Sequence, residues 1–355
     1  MKSFTIENKI VGEDASCFVI AEAGSNHDRS LNQAFKLIEV ATEAGADAVK
    51  FQLFSAEMLA AKTKENIASL QKDKFGTYGK TLYDLYKKLE LPREWLVKLK
   101  KYAKECGIIF SATPFDEDAV DELEHIKVPF YKIASFELVH LPLIRYVASK
   151  RKPIILSTGM ANMEEIEDAV NTIREAGNDQ YALLHCGIEY PPRVEDIHLA
   201  AMDTISEKFQ CPVGYSDHTT GNTVPIGAVA RGAKIIEKHF TIDKNLKGPD
   251  HKYALSPVEL REMVLAIRDV EKAIGLPQKK AVERELVYLK RGRRSLFAKR
   301  DIKKGDRITK EMISILRPAT GLLPKYLDEV ARKRARIDIY RNEPITWEKL
   351  ENGKG

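Results

Sequence analysis

The chain has 355 residues, of which 57 are Lys or Arg, 52 are Asp or Glu, and 44% are hydrophobic. This length and composition suit one large domain plus a smaller one, and they exclude global disorder. The formal net charge of +5 is small for this size, so it is compatible with anionic ligands but does not itself indicate nucleic acid binding.

The sequence predicts neither a membrane span nor a secretory leader. No stretch approaches the ~18 apolar residues that a spanning helix needs, and residues 1–16 lack an apolar core of signal-peptide type. Four cysteines, Cys17, Cys106, Cys186 and Cys211, are scattered without a CxxC pair. Because free thiols suit a reducing compartment, we expect a cytoplasmic protein with no membrane partner.

Short apolar runs rich in β-branched residues alternate with segments of helical period as far as residue 275. The predicted strands are Phe18–Gly24, Ala48–Phe54, Ile108–Phe115, Phe130–Ser135, Pro153–Gly159, Tyr181–Gly187, Pro212–His218 and Ile235–Thr241. The predicted helices lie within residues 30–45, 92–107, 116–126, 162–177 and 256–275. Four of these five segments end on a glycine at the expected helix C-cap.

This alternation predicts an α/β fold with a parallel sheet. Eight strands in about 250 residues favour a (β/α)8 TIM barrel over residues 1–275. A doubly wound open sheet is the alternative, but no GxGxxG motif follows the first predicted strand.

The strand–helix rhythm stops near Gly275. A basic linker is predicted at residues 276–292, and residues 293–355 read as a small separate domain with short apolar pieces and turn signals. The cluster Arg291–Arg294 is compatible with nucleic acid, but few aromatic residues accompany it. A solvated or partner-docking segment is therefore favoured, and no nucleic acid partner is expected.

Polar side chains occur at the ends of all eight predicted strands. They are Glu22, Lys50, Gln52, Thr113, Lys132, Ser135, Ser157, Thr158, His185, Ser216, His218, Glu237 and His239. Because buried parallel strands are normally apolar throughout, we expect a common site at the carboxyl-terminal face of the barrel. Some Ser and Thr residues could instead cap the following helices, an explanation that suits the lysines and glutamates less well.

His218 and His239 are the candidate metal ligands, because neighbouring strands could bring both imidazoles to one ion. Two nitrogen ligands with open positions suit Mn²⁺ or Mg²⁺ acting as a Lewis acid. The alternatives are two core or supporting histidines, or metal binding by His27 and His251 instead.

Lys50, Lys132 and the neighbouring hydroxyl groups could hold a phosphate or a carboxylate. Ion pairing of these lysines with Glu22 and Glu237 inside the barrel is compatible with that role. Asp217 and Asp250 could accept hydrogen bonds from sugar hydroxyl groups, and Tyr190 could stack on a ligand or donate to it. Those residues remain the open candidates for a sugar subsite.

Several motifs resemble one family, the sialic acid (N-acetylneuraminate) synthases and their nonulosonate relatives. The motifs are IAEAGSNHDRS at 20–30, GADAVKFQ at 45–52, FSATPFD at 110–116, YKIASFE at 131–137, KPIILSTGM at 152–160, LLHCGIEYP at 183–191, GYSDHT at 214–219, IEKHFT at 236–241 and GPDH at 248–251. In the C-terminal part, RDIKKGD and LRPATG resemble the SAF domain, an antifreeze-like β-clip fold.

The resemblance implies condensation of phosphoenolpyruvate with an open-chain N-acetylated aldose, such as N-acetylmannosamine, with release of phosphate. It implies a Mn²⁺ or Mg²⁺ ion on His218 and His239, with Glu22 as the base for the attacking water and Glu237 supporting the water on the metal. The residues implied to hold phosphoenolpyruvate are Lys50, which is also catalytic, and Thr113, Lys132, Ser135, Ser157 and Ser216. The residues implied to hold the sugar are Gln52, Tyr190, Asp250 and Arg317, the last from the second subunit of a domain-swapped homodimer.

The sequence leaves the aldose open. Ile188 stands where some members of the family carry an asparagine near the substrate, whereas Glu189 and Tyr190 resemble the legionaminic branch. Residues 56–80 are expected to add sugar contacts. The rival functions are another nonulosonate synthase, such as a legionaminate, pseudaminate or spore-coat polysaccharide enzyme, a synthase for phosphorylated 3-deoxy sugar acids, and a non-enzymatic SAF-domain binding protein.

Overall fold

The computed structural model describes residues 3–62 and 81–351. By internal contacts the chain divides into two compact units, Met1–Gly275 and Leu276–Gly355. Most of the segment 56–80, for which sugar contacts are predicted, lies outside the described residues.

The first unit begins with an antiparallel hairpin, β1 (Phe4–Ile6) and β2 (Lys9–Val11). In the described part of the chain, eight parallel strands then form one sheet: β3 (Phe18–Gly24), β4 (Ala48–Leu53), β5 (Ile109–Pro114), β6 (Tyr131–Ile133), β7 (Ile154–Ser157), β8 (Tyr181–Cys186), β9 (Val213–Asp217) and β10 (Ile235–His239). Each of these strands lies within a predicted apolar run.

The sheet is curled into a nearly closed barrel. Its strand order is β5-β4-β3-β10-β9-β8-β7-β6, so the first and last strands of the parallel set pair with each other. Between β5 and β6, the Ser111 hydroxyl donates to the carbonyl oxygen of Phe130 at 2.9 Å. The predicted (β/α)8 architecture is confirmed, because an open doubly wound sheet does not join its first strand to its last in this way.

Each of the eight barrel strands is followed by at least one helix. These helices are α1 (Leu31–Glu43), α2 (Ala56–Leu59), α3 (Leu82–Leu89), α4 (Leu96–Cys106), α5 (Glu117–His125), α6 (Leu141–Ser149), α7 (Met163–Glu175), α8 (Ala201–Phe209), α9 (Thr223–Ala230) and α10 (Pro257–Ile274). Short 3-10 turns lie at Arg93–Trp95, Ser135–Glu137 and Val194–Asp196.

Local signals set the ends of these helices. The Asn162 side chain accepts hydrogen bonds from the amides of Glu164 and Glu165 and so caps α7. At the other end of α4, Gly107 has a φ of +79°, a left-handed conformation that glycine adopts without steric cost.

The side chains inside the barrel form an apolar layer at the amino-terminal end of the strands. The hairpin residues Phe4, Ile6 and Val11 pack against this layer and close that end of the barrel. The layer itself consists of Phe18, Ile20, Ala48, Ile109, Phe130, Ile155, Ala182, Leu184 and Ile235. Outward-facing residues such as Val49, Phe51 and Leu53 belong to the larger core shared with the helices.

The second unit has its own small core. It contains α11 (Leu286–Gly292) within the predicted linker, an antiparallel pair β11 (Ser295–Ala298) and β12 (Ile313–Leu316), and α12 (Leu327–Val330). Further 3-10 turns lie at Glu283–Glu285, Lys310–Met312, Pro324–Tyr326 and Trp347–Lys349. Its core is formed by Leu296, Ala298, Ile302, Ile308, Ile313, Leu322, Val330, Ala335, Ile339, Ile345 and Leu350.

None of the helices within residues 3–62 and 81–351 combines the length and the apolar character needed to cross a bilayer.

Candidate active site

The carboxyl-terminal end of the barrel interior is polar. Because alternate side chains of a strand point to the same face, the residue two positions beyond an interior apolar residue is also interior. Ile20 is thus followed by Glu22, and Ile235 by Glu237. We call the resulting group the strand-end cluster; it comprises Glu22, Lys50, Gln52, Thr113, Lys132, Ser157, Ser216, His218, Glu237 and His239.

Lys50 lies at the centre of one half of the strand-end cluster. Its ammonium group is 2.7 Å from Glu22 Oε2 and 3.6 Å from Glu237 Oε2, and it donates to Thr113 Oγ1 at 2.9 Å. Gln52 Nε2 donates to Glu22 Oε1 at 3.1 Å. These contacts bring together side chains from β3, β4, β5 and β10.

Lys132 lies at the centre of the other half. Its ammonium group donates to Ser157 Oγ at 2.6 Å and is 3.7 Å from Glu237 Oε1. Ser216 donates to the same Glu237 oxygen at 2.9 Å. Glu237 therefore lies between the two buried lysines, and the two halves form one network.

Burial and charge separate the pKa values of the two carboxyl groups. Burial raises the pKa of Glu22, and the ammonium group of Lys50 opposes this only in part. Burial acts on Glu237 as well, but Lys132 and Lys50 outweigh it, so the pKa of Glu237 lies below its usual value. Two carboxyl groups whose pKa values differ in this way can serve different roles, one in proton transfer and one as a fixed charge.

The two lysines also differ. Burial lowers the pKa of Lys132, with partial opposition from Glu237. Burial acts in the same direction on Lys50, but the carboxylates of Glu22 and Glu237 reverse it and raise the pKa of Lys50. The strand-end cluster thus contains two buried lysines whose ammonium groups can bind an incoming anion.

His218 and His239 lie side by side, with ring centroids 5.3 Å apart. Burial lowers the pKa of His218 to about 4 and that of His239 well below its usual value, so both rings are neutral at pH 7. His218 Nδ1 donates to the carbonyl oxygen of Gly187 at 2.7 Å, which leaves its Nε2 with the lone pair. Such a bond from the far nitrogen to a carbonyl is typical of metal-ligating histidines.

The surroundings of His239 also fit a cation. Its Nδ1 is buried without a hydrogen-bond partner among the described residues and lies 3.7 Å from Asp250 Oδ2. Gly24 has a φ of +51°, and a Cβ there would lie 3.3 Å from the His239 ring, so glycine leaves the ring accessible. The described residues contain no group of three or more His, Cys, Asp or Glu donors arranged around one point.

Two tyrosines lie beside the histidine pair. The Tyr190 ring lies 4.2 Å from His218, and the Tyr253 ring lies 5.5 Å from His239 and 5.7 Å from Tyr190, measured between centroids. The Tyr253 hydroxyl is buried without a hydrogen-bond partner among the described residues. It is near enough to Asp250, whose side chain is 19% exposed, to oppose the rise in the pKa of this carboxyl group that burial causes.

Ser135 lies in the 3-10 turn after β6, beside Cys186. Its hydroxyl accepts a hydrogen bond from the amide of Gly159 at 3.0 Å, and a Cβ on Gly159 would collide with Ile188. Cys186 is near both Ser135 and Ser216, and burial raises the pKa of its thiol to about 11.

Several sequence-predicted candidates lie elsewhere. His185 is on the outer face of β8, where its Nε2 donates to the carbonyl oxygen of Ile197 at 2.5 Å. Cys186 is therefore the interior residue at the carboxyl-terminal end of that strand. Asp217 faces outward and pairs with Lys238 at 2.5 Å, which makes its predicted sugar contact wrong. Thr158 donates to the carbonyl oxygen of Leu184 at 3.0 Å.

His27 and His251 lie outside the histidine pair. His27 Nδ1 accepts from the amide of Arg29 at 3.0 Å, and its Nε2 is buried without a hydrogen-bond partner among the described residues, with Phe51 and Trp95 near the ring. His251 bonds Thr241 Oγ1 at 2.6 Å and lies 3.1 Å from Asp28 Oδ2. Arg317 belongs to the second unit, where it is exposed beyond the end of β12.

Sequence reasoning missed Cys186 and Tyr253. The alternation of β8, with Ala182 and Leu184 in the interior layer, identifies Cys186 as the next interior residue. Tyr253 follows Asp250 by three residues in the loop after β10, where no strand period predicts its direction.

Comparison with known proteins shows two family matches. A model described as the NeuB family matches residues 37–279, and a model described as the SAF domain matches residues 293–351. Together they cover most of both units.

Several of the curated relatives are named synthases. An N,N'-diacetyllegionaminic acid synthase of Legionella pneumophila is 42% identical over 344 residues, covering 96% of each chain. The N-acetylneuraminate-9-phosphate synthase of Homo sapiens is 33% identical over 346 residues, covering 96% of this chain and 95% of its own. A crystal structure of N-acetylneuraminic acid synthetase from Leptospira borgpetersenii, in complex with citrate, has a TM-score of 0.71 at 33% identity and covers 81% of this chain and 95% of that one.

Proposed function

Because the chain belongs to the NeuB family and carries a SAF domain, we propose that it condenses phosphoenolpyruvate with an open-chain N-acetylated aldose. N-acetylmannosamine or a relative is the proposed sugar, and the products are a sialic-acid-type nonulosonate and phosphate. Like the relatives that are named synthases, the chain is an enzyme. The proposal depends most on one observation, the convergence of Lys50, Lys132 and the neutral histidine pair at one end of the barrel.

The lysines match the charge of phosphoenolpyruvate, which has a carboxylate and a phosphate. Lys50 and Lys132 are both buried, and each is already bonded to a hydroxyl group, Thr113 and Ser157 respectively. Ser135 and Ser216 add further hydroxyl donors. Buried cations with preoriented hydroxyl groups bind such an anion strongly because little solvent screens them.

His218 and His239 are proposed to hold the divalent cation, Mn²⁺ or Mg²⁺. The neutral state of both rings, the carbonyl partner of His218 and the unpartnered nitrogen of His239 support this assignment. Bound there, the ion would supply Lewis-acid polarisation of the sugar aldehyde.

The proposed reaction forms one carbon–carbon bond and breaks one carbon–oxygen bond. Carbon 3 of phosphoenolpyruvate attacks the aldehyde carbon, and water adds to carbon 2. The water gives one proton to Glu22, which returns a proton to the former aldehyde oxygen, so that this oxygen becomes a hydroxyl group. The bond from carbon 2 to the phosphate oxygen then breaks as the hydroxyl group on carbon 2 passes its proton to the departing phosphate, which leaves a 2-keto acid and inorganic phosphate.

Glu22 and Glu237 are proposed to have different roles in the reaction. The raised pKa of Glu22 suits a base that accepts and returns a proton. Glu237 stays ionised between the two lysines and holds their ammonium groups in place. Gln52, Tyr190 and Asp250 are proposed to hold the sugar, and Arg317 of the partner subunit completes this subsite in a domain-swapped homodimer.

Phosphate release from phosphoenolpyruvate tests the function directly. The purified protein with Mn²⁺ is given N-acetylmannosamine, its 6-phosphate and a diacetamido aldose in turn. Condensation adds three carbons, so a 6-phosphate would become the 9-phosphate named in the human relative, whereas a diacetamido aldose corresponds to the Legionella relative. We expect phosphate release with an unphosphorylated N-acetylated sugar; activity only with the phosphorylated sugar would refute this choice.

Tyr253→Phe is expected to raise the KM for the sugar about 3- to 10-fold, with a small effect on the KM for phosphoenolpyruvate. Phenylalanine lacks the buried hydroxyl beside Asp250, so the variant loses one hydrogen bond to the sugar. Such a bond is worth about 0.5–1.5 kcal/mol. Steady-state kinetics with each substrate varied in turn checks this. An equal change in both KM values, or none, would exclude a sugar contact. The control is Tyr146→Phe, a partly buried tyrosine of α6 whose hydroxyl donates to Asp121.

Arg317→Ala is expected to raise the KM for the sugar more than that for phosphoenolpyruvate. If the arginine acts across a dimer, mixing chains with Arg317→Ala and chains with Glu22→Ala restores one complete site in each heterodimer. We expect partial recovery of phosphate release. Confirmed heterodimers without recovery would contradict the swapped arrangement.

A further inference from the structure

A buried ion pair lies behind the histidine pair, on the outer face of the barrel. Lys238 and Asp217 are register partners on β10 and β9, with Lys238 Nζ 2.5 Å from Asp217 Oδ2 and side-chain exposures of 1% and 0%. Each residue directly adjoins one of the histidines, Asp217 next to His218 and Lys238 next to His239.

The same pair fixes the turn that follows β9. Asp217 Oδ1 accepts from the amide of Thr219 at 2.9 Å, and Asp217 Oδ2 accepts from the Thr219 hydroxyl at 3.1 Å. Lys238 also donates to the carbonyl oxygen of Thr219. The backbone on both sides of His218 is thereby tied to the residue that precedes His239.

Stability alone is a poor explanation for this pair. Moving a lysine and an aspartate out of water is costly, and well-packed apolar residues in the same place are often as stable or more so. Neither side chain faces the barrel interior, so neither contacts the substrates in the proposed reaction. A network that joins the two histidine-bearing strands does, however, restrict how the imidazoles can move relative to each other.

We propose that Asp217 and Lys238 are positioning residues that hold His218 and His239 at the separation needed to share one divalent cation. This inference rests on the proposed function, because that function assigns the cation to the two histidines. Partners that orient metal-ligating histidines typically change metal affinity 10- to 100-fold when removed.

The test variant is the double substitution Asp217→Asn with Lys238→Met. It removes both charges together, so that no unpaired buried charge remains, and it keeps an acceptor for the Thr219 amide. The matched control is Asp47→Asn with Arg268→Met. Asp47 likewise accepts from a backbone amide, that of Val19, and pairs with Arg268 at 2.9 Å, but it lies at the amino-terminal end of β4.

Mn²⁺ binding to the metal-free proteins is measured by electron paramagnetic resonance, alongside thermal unfolding. We expect binding about 10- to 100-fold weaker in the test variant and unchanged binding in the control, with both variants folded. Unchanged Mn²⁺ affinity in a folded test variant would overturn the inference. If the test variant does not fold, Lys238→Arg, which keeps the charge but changes the donor geometry, replaces it with the same expected direction.

A second measurement separates this inference from the proposed function. Absence of Mn²⁺ binding in the wild type would contradict the metal site itself. Crystal structures of the wild type and the double variant then decide the positioning role, since we expect the 5.3 Å separation of the imidazole centroids to be lost in the variant. An unchanged separation would refute it whether or not metal binds.

Discussion

Replacement of His239 by alanine is expected to reduce turnover by about 10³-fold or more and to abolish Mn²⁺ binding. Polarisation of a carbonyl by a metal ion contributes several kcal/mol to transition-state stabilisation, and about 1.4 kcal/mol corresponds to each factor of ten in rate. His239 supplies one of only two imidazoles that the proposal assigns to the ion. Phosphate release and Mn²⁺ titration of the same preparation are the two measurements.

His185→Gln is the matched control for this prediction. His185 is on β8, close in the barrel, but it faces outward and bonds the carbonyl oxygen of Ile197, a bond that glutamine can also donate. We expect near wild-type turnover. Full activity of the wild type after exhaustive treatment with a chelator would count against the metal site, whatever the variants do.

The second large effect is expected for Glu22→Gln, with kcat reduced about 10²- to 10⁴-fold, the usual contribution of a general base. Glutamine keeps the size of the side chain and its contact with Gln52 but cannot accept a proton. Because Lys50 retains Glu237 as a partner, we expect a much smaller change in the KM for phosphoenolpyruvate. Steady-state kinetics with saturating sugar separates the two parameters.

Glu271→Gln serves as the control for Glu22→Gln. This glutamate of α10 is mostly buried and ion-paired with Arg268, but it lies among residues at the other end of the barrel, where its carboxylate accepts from the Cys17 amide. We expect kcat to be unaffected. An unchanged kcat in Glu22→Gln would mean that another group takes the proton from water.

The barrel could be predicted from the sequence because its strands are continuous apolar runs bounded by turn signals. The run Phe18–Gly24 matches β3 at both ends, whereas the predicted strand Phe130–Ser135 is longer than β6, because the chain turns into a 3-10 helix at Ser135. The helix α9 was not predicted. Its sequence TVPIGAVA is apolar on all sides and contains Pro and Gly, so no helical period is visible in it.

Members of the strand-end cluster could be predicted where two polar residues are separated by one residue in the sequence of a strand, because the strand then places both on one face. Lys50 and Gln52 were found in this way, as were Glu237 and His239. The same reasoning failed at His185, because an error of one residue exchanges the inner and outer faces of a strand. Tyr253 could not be found, because the path of the loop after β10 depends on tertiary contacts that have no period in the sequence.

The most direct test of the account is the anomalous diffraction of Mn²⁺ in crystals grown with phosphoenolpyruvate. We expect a single strong Mn²⁺ peak bonded to both His218 and His239, with phosphoenolpyruvate in the same cavity against Lys50 and Lys132. A Mn²⁺ peak bonded to neither imidazole, or phosphoenolpyruvate bound away from the two lysines, would contradict the assignment of the strand-end cluster as the active site.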